Sequence, residues 1–345
     1  MPIEARGRYG EVQGFTRKDE DIHPSLGSRP AGHGSLRPPI TGKTAKIDQQ
    51  KPQPAESDPQ TLLKGVWRKW KYLNAQEGFQ RAPLLTLFRL ILWRLRCLLR
   101  WPATIDLRGS NVRLFLPARW RGIEKVVYGF RENYEPELTY LKKVLSPGQT
   151  FVDVGACYGI YALIASRVVG RTGRVIAFEP SFRAFPILRK NISLNNLANV
   201  QAYCLALSDR RGRTLLYRHP NVGCDSFGKD DSFPEDAQET ATETLDNVVR
   251  ERKIERVDVV KMDVQGAEEW VLLGAKRILT TMHPIVIFES WPEGPPLLGL
   301  SPNGAWDFLD SLGYEFFVLE AGGSLIDVKS PPVDCNVVAI HTQSR

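Results

Sequence analysis

Acidic side chains recur in this sequence where an apolar run gives way to a turn. The run Phe151-Val152-Asp153-Val154-Gly155-Ala156-Cys157-Tyr158-Gly159 places an acid two residues before a glycine. A dinucleotide-binding loop has Gly-x-Gly-x-x-Gly here, because bare N–H groups at a helix N-terminus hold the pyrophosphate, and a carboxylate beside it would repel the phosphates. Asp153 suits a cationic or zwitterionic ligand instead. S-adenosyl-L-methionine meets that description, with an ammonium, a sulfonium and no phosphate. Gly155 and Gly159 let the backbone approach such a ligand and make the turn. Glu179, 24 residues beyond Gly155, closes the next apolar run and is followed by Pro180. A strand-end acid at that point can accept both ribose hydroxyls.

The later turns complete the pattern. Ala206-Leu207-Ser208-Asp209 is expected to flank the adenine, with apolar contact from Leu207 and a hydrogen bond from Ser208 or Asp209. Asp209 also begins Asp-Arg-Arg-Gly, where an acid serves equally as a turn residue. In Val259-Val260-Lys261-Met262-Asp263-Val264-Gln265-Gly266-Ala267-Glu268, Asp263 would leave the sheet beside the reacting group. Glu268 falls in the first turn of the next helix, where the helix dipole alone favours an acid. Glu289 closes the fifth strand. Methyl transfer to a hydroxyl needs oxygen, methyl and sulfur held in line, and a carboxylate or histidine to remove the proton. Asp263, Glu268 and Glu289 are the candidate catalytic residues. His283 precedes Pro284 at a strand start, the wrong end of the sheet, and reads as structural. No cysteine pair or spacing suggests a metal site.

The elements that must hold these residues alternate. Strands are expected at Thr150–Val154, Arg174–Glu179, Val200–Leu205, Thr214–Tyr217, Val257–Val264, Ile285–Glu289, Tyr314–Glu320 and Asn336–Ile340. Helices are expected at Tyr158–Val169, Phe182–Leu194, Leu245–Arg252, Ala267–Leu279 and Gly304–Leu312. Strands separated by such helices pair in parallel through right-handed crossovers, which makes an open, doubly wound α/β sheet. Ligands in such sheets sit at the carboxyl ends of the strands.

The chain of 345 residues carries a net charge of +7, but the excess is local: residues 61–130 hold +11, and 131–345 hold −5. The sheet region is therefore no polyanion-coating surface, and nucleic acid is not an expected partner. Residues 1–60 are poor in large apolar residues and read as a disordered tail. Residues 61–130 read as a basic helical lead-in with a short β stretch near Asn111–Leu116, and the segment Trp120–Tyr134 as a loop. A helix starting at Pro83 gathers Leu84, Leu87, Phe88, Ile91, Leu92, Leu95, Leu98 and Leu99 on one arc and Arg89, Arg96 and Arg100 on the other. That arc either packs on the globular domain or a second subunit, or lies on anionic lipid as a peripheral contact. It is too charged to span a bilayer. The N-terminus shows no secretory leader, and five scattered cysteines suit a reducing, cytoplasmic setting.

At these motifs the sequence resembles the FkbM family of S-adenosylmethionine-dependent methyltransferases. Matching stretches are Glu132-Asn133-Tyr134-Glu135-Pro136-Glu137, Phe151 to Gly159, Phe178-Glu179-Pro180-Ser181, Lys190-Asn191-Ile192, Ala206 to Asp209, Lys261 to Glu268 and Pro284 to Glu289. They cover about 131–340. The resemblance implies a class I, Rossmann-like methyltransferase domain whose mostly parallel sheet has seven strands, the last antiparallel. It also implies O-methylation of a sugar, glycan or secondary-metabolite hydroxyl. Where the family pattern resembles Asp-x-Glu-Gly-x-Glu, this chain has Gln265, so any role of that acid must fall to Asp263, Glu268 or Glu289. Two rivals are weighed: a nicotinamide oxidoreductase on a related sheet, which Asp153 argues against, and a non-catalytic membrane-associated relative. Acceptor-pocket residues are expected from the loops Asn221–Asp236 and Trp291–Asn303.

Overall fold

The computed structural model describes residues 79–344, except 81, 121, 134, 230–235 and 321. The expected N-terminal tail and the lead-in up to residue 78 lie outside the described residues.

Helix α1 (Pro83–Leu98) starts on its proline, whose missing N–H has no intrahelical partner to lose. It packs on α2 (Ile123–Phe130), which occupies most of the segment expected to be a loop. Its fully buried side chains are Thr86 and Trp93 rather than members of the leucine arc. Trp93 stacks on Tyr128 with ring centroids 4.7 Å apart and donates its indole N–H to the Arg119 carbonyl at 3.0 Å. Gly129 lets Leu90 approach closely, since a Cβ there would lie 2.9 Å from the leucine Cδ2. Of the leucine arc, Leu87 and Leu92 are half-buried and pack against the core, as the packing alternative expects, whereas Leu84, Phe88, Ile91, Leu95, Leu98 and Leu99 face outward.

Strands β1 (Ala103–Leu107) and β2 (Val112–Leu116) form an antiparallel hairpin of which sequence periodicity gave only the second half. Asn191 and Asn195 fasten it to the domain by accepting from Phe115 N and Arg113 N, each at 2.7 Å. Helix α3 (Pro136–Val144) then leads into the alternating series β3 (Thr150–Val154), α4 (Ile160–Val169), β4 (Arg174–Phe178), α5 (Phe185–Leu194) and β5 (Val200–Tyr203). All of β3 is buried, as a strand covered by helices on both faces must be.

A three-stranded sheet follows, made of β6 (Ala206–Leu207), β7 (Gly212–Tyr217) and β8 (Ala237–Glu243) in the order β6-β8-β7. The main chain then returns through α6 (Leu245–Glu251), β9 (Val259–Met262), α7 (Glu268–Leu273), α8 (Lys276–Thr281) and β10 (Ile285–Ser290). The single helix expected over Ala267–Leu279 is broken at Gly274. A Cβ at Gly274 would sit 2.0 Å from the Ser208 carbonyl oxygen, so the break lets the backbone pass close to the β6 loop. The chain ends with α9 (Gly304–Ser311), β11 (Tyr314–Leu319), β12 (Leu325–Val328) and β13 (Cys335–His341).

The central sheet runs β12-β11-β13-β10-β9-β3-β4-β5. Strands β5, β4, β3, β9 and β10 are parallel, and β13 inserts antiparallel between β10 and β11. This is the class I methyltransferase order with its reversed last strand. An eighth strand, β12, extends the edge beyond the expected seven by pairing antiparallel with β11. The strand order reverses between the parallel neighbours β3 and β9, so the crevice of a doubly wound sheet opens above their carboxyl ends.

Candidate active site

The crevice is built by three strand ends bending over one another. Gly155 N and Ala156 N both donate to the Phe178 carbonyl at 2.9 Å, folding the loop after β3 across the end of β4. Gly155 has φ +76, and a Cβ there would meet the Asp263 carbonyl oxygen at 2.0 Å, so only glycine fits. Asp263 N in turn donates to the Val154 carbonyl at 3.0 Å. Above this crossing lies a cleft of about 540 Å³ lined by Gly155, Glu179, Leu207, Phe227, Asp263 and Val264, among others.

Glu179 closes β4 as expected and is 5% exposed. Its two oxygens accept from Cys157 N at 2.7 Å and Ser181 N at 2.8 Å, so it also ties the β3 and β4 loops together. Burial pushes its carboxyl up to about 7, against the pull of those two donors. The loop after β7 braces the same corner: Asp225 accepts from Ser181 Oγ at 2.7 Å and pairs with Arg183.

Asp153 sits elsewhere than the cleft wall. It is 1% exposed and its Oδ2 accepts from Ala162 N at 3.0 Å, inside the first turn of α4. Gly159, just before that helix, has no side chain to cap it, and Asp153 does so from the strand. Its Oδ1 is buried without a hydrogen-bond partner. Burial raises this acid to about 6, with Lys261 opposing. Gly159, Ser208 and Asp209 are also absent from the cleft lining; Ser208 Oγ bonds to Asp209 Oδ1 at 2.9 Å.

The carboxyl ends of β9 and β10 bring the catalytic candidates together. Gln265 Nε2 donates to Asp263 Oδ1 at 2.8 Å and to Glu289 Oε2 at 3.3 Å, so one amide bridges two carboxylates. Gln265 reaches them because its own backbone is left-handed, φ +55. Burial, then Asp263 and Glu268, push Glu289 up to about 8. Asp263 lines the first cleft, whereas Glu289 lines a neighbouring one of about 340 Å³ with Trp291, Asn303 and Trp306. Glu268 accepts from Val264 N at 3.0 Å and so holds the turn closed; burial raises it to about 7. Of the loops expected to shape an acceptor pocket, 221–229 contributes Gly223, Asp225 and Phe227 to the first cleft, and 291–303 lines the second.

Lys261, Tyr161 and Glu135 escaped sequence reasoning as site residues. Lys261 is 5% exposed on β9, with Nζ 3.4 Å from Asp263 Oδ2 and 4.6 Å from the Tyr161 ring centroid. Burial works against its charge, yet Asp263, Asp153 and Glu135 hold it above its ordinary value. Tyr161 donates its hydroxyl to Glu135, which burial and then Glu137 raise to about 7. The available signal was a lysine inside an otherwise apolar strand.

Residues 153–333, just over half of the chain, match the family model described as "Methyltransferase FkbM domain". This chain belongs to the FkbM methyltransferase-domain family. S-adenosyl-L-methionine is the cofactor of that family. Methyltransferase sdnD of Sordaria araneosa is 29% identical over 174 residues, 41% of this chain and 67% of that protein. AMB antimetabolite synthetase AmbE of Pseudomonas aeruginosa is 30% identical over 170 residues, 38% of this chain but 8% of that protein. Among solved structures, the FkbM methyltransferase of Methylobacillus flagellatus is 16% identical with a TM-score of 0.37, covering 63% of this chain and 53% of that one.

The cleft residues of this FkbM member fit such a cofactor: an acid at the end of β4 for a ribose diol, apolar walls from Leu205, Leu207 and Leu216 for a base, and no basic side chain in the lining to call for phosphate. Among the described residues no group of three or more His, Cys, Asp or Glu is placed to hold a metal ion.

Proposed function

We propose that this family member methylates a hydroxyl on a sugar, glycan or secondary metabolite. The observation that carries this reading is the Asp263–Gln265–Glu289 bridge standing between two clefts, one lined by Asp263 and the other by Glu289. S-adenosyl-L-methionine supplies an electrophilic methyl group when bound. Glu179 accepts from the ribose hydroxyls, Leu207 with its apolar neighbours covers the base, and Gly155 keeps the floor of the cleft open. Asp153 stiffens the loop from below by capping α4 rather than touching the ligand.

On the acceptor side, Trp291 and Trp306 offer flat apolar walls and Asn303 a hydrogen-bonding rim, a lining that suits a sugar ring or a polycyclic metabolite. Ionised Glu289 takes the hydroxyl proton as the oxygen is methylated, and a group raised to about 8 is well matched to that task near neutrality. Asp263, fixed by Lys261 and Gln265, orients the bridge. The names of the two relatives, a methyltransferase and an antimetabolite synthetase, support a small-molecule acceptor. Five free cysteines support a reducing, cytoplasmic setting.

The test is incubation with methyl-labelled cofactor and an acceptor panel of glycans, hydroxylated metabolites, amines and peptides. Label recovered as an alkali-stable methyl ether is the expected result. Label on nitrogen, or in protein or nucleic acid, overturns the acceptor assignment.

A further inference from the structure

Helix α1 presents an apolar ridge to solvent: Leu84 is 82% exposed, Phe88 62%, Ile91 63%, Leu95 51%, Leu98 65% and Leu99 71%. Trp101, just beyond the helix, is 62% exposed. At 100° per residue the ridge lies opposite the packed side made by Thr86, Leu90, Trp93 and Cys97. Cations edge it on both flanks. Arg94 lies over the Trp120 ring at 4.8 Å, with Lys125 over the same ring at 5.7 Å, on one side. Arg89 and Arg96 lie on the other.

That second flank is also the wall of an open cavity of about 1090 Å³, lined by Arg89, Arg96, Arg108 and Arg131. Among the described lining residues the one acid is Asp106, which is shared with Arg113 at 3.8 Å. No ion pair joins any of the four arginines to an acid among the described residues. Arg96 Nε is buried without a hydrogen-bond partner, while its Nη1 donates to the Pro102 carbonyl at 3.1 Å. Arg131 is held in place with φ +59, a costly conformation for a residue with a Cβ, and donates to the Tyr128 carbonyl. Burial, and after it the neighbouring Arg89, bring its guanidinium down to about 10, against the pull of Tyr128 and Asp106.

We propose that α1 lies on an anionic bilayer surface and that the Arg89–Arg96–Arg108–Arg131 cavity takes the phosphate of a phospholipid headgroup. An apolar ridge with arginines at its edges is the arrangement of an interfacial helix, and guanidinium forks match phosphate oxygens. A second copy of the chain is the poorer occupant, because two such ridges face to face would bring the same arginine flanks together. The helix is not a span: none of the described helices is long and apolar enough to cross a membrane.

The test is co-sedimentation of the full chain with phosphatidylcholine vesicles, with and without phosphatidylglycerol, at low and high salt. Binding to the anionic vesicles that weakens with salt is expected. Arg89→Gln with Arg131→Gln should weaken partitioning by roughly thirty-fold, from about one kcal/mol of attraction per basic residue at an anionic surface. Phe88→Glu with Ile91→Glu should abolish it on every vesicle. These positions lie outside the methyltransferase cleft, so cofactor affinity measured on the same variants should stay at the parent value and certifies folding. Three results overturn the proposal: equal binding to neutral and anionic vesicles; no vesicle binding together with calorimetric binding of soluble glycerol phosphate; or a dimer by light scattering that Phe88→Glu dissolves while vesicles are ignored.

Discussion

Replacing Lys261 with methionine tests whether the buried charge cluster beneath the cleft is organised by this one cation. Methionine keeps the length of the side chain, so no large cavity confuses the result. Nζ stands 3.4 Å from Asp263 Oδ2, and at an effective dielectric constant of 20 that single pair is worth about 5 kcal/mol before desolvation. Asp263 is 40% exposed, so water screens much of that figure, but Asp153 and Glu135 also lose their cation inside the fold, where an uncompensated buried charge costs about 3–5 kcal/mol. The cost must depend on pH. Asp153 and Glu135 have folded values of about 6 and 7, raised above those of the unfolded chain by burial and held down by Lys261. A raised acid contributes stability that is complete below its unfolded pKa and lost as pH climbs through its folded one. Without Lys261 both acids rise further, so the variant goes on losing stability above pH 7 where the parent has levelled. Urea denaturation with an unchanged m-value should therefore give the full loss at pH 8 and less than half of it at pH 5. A loss equal at the two pH values, or below about 1 kcal/mol at pH 8, would refute the reasoning.

Glu289→Gln should lower turnover by about 10²–10⁴-fold, the usual worth of a positioned general base, with cofactor affinity measured by calorimetry unchanged. Parent turnover should rise with pH to a midpoint near 8, because the base acts only when ionised, and the variant should lose that limb. Glu179→Gln keeps the shape but turns an amide N–H₂ toward one of two backbone donors; cofactor affinity should fall by about 1–3 kcal/mol, and an unchanged dissociation constant would remove Glu179 from the ribose site. Gly155→Ala should cost about 1–3 kcal/mol in thermal denaturation from backbone strain, with cofactor binding lost, because its Cβ would collide with the Asp263 carbonyl.

The centre of the doubly wound sheet was legible because β3, β4 and β9 are buried almost throughout and read as mostly apolar runs. Strand β8 was not, since its inward residues are Gln238, Thr240 and Thr242, buried at 5%, 2% and 8%. A polar inner row has no hydrophobic period to detect. Asp153 shows a different limit. Every residue of β3 is buried, so sequence alone cannot say which face its acid takes. It turned toward the helix, and the cleft was left to Glu179 and Asp263. For α1, the apolar arc was legible but its destination was not, because Trp93 and Thr86 outcompeted six leucine-like side chains for the contact with α2.

Gln265, the departure from the family-like pattern, follows from the same electrostatics. Its amide nitrogen carries two protons, and the geometry gives one each to Asp263 and Glu289. A carboxylate at 265 has none to give, so three acids would face one another and at least one would have to hold a proton to stay in place. The amide bridges the two remaining carboxylates without adding a third charge, and Glu289 is already raised by burial and its acidic neighbours. With Lys261 neutralising Asp263 from below, the substitution removes a charge that the cluster would otherwise have to protonate. A working base and a glutamine at 265 are therefore compatible, and the lost acid reads as a retuning of the site rather than its decay.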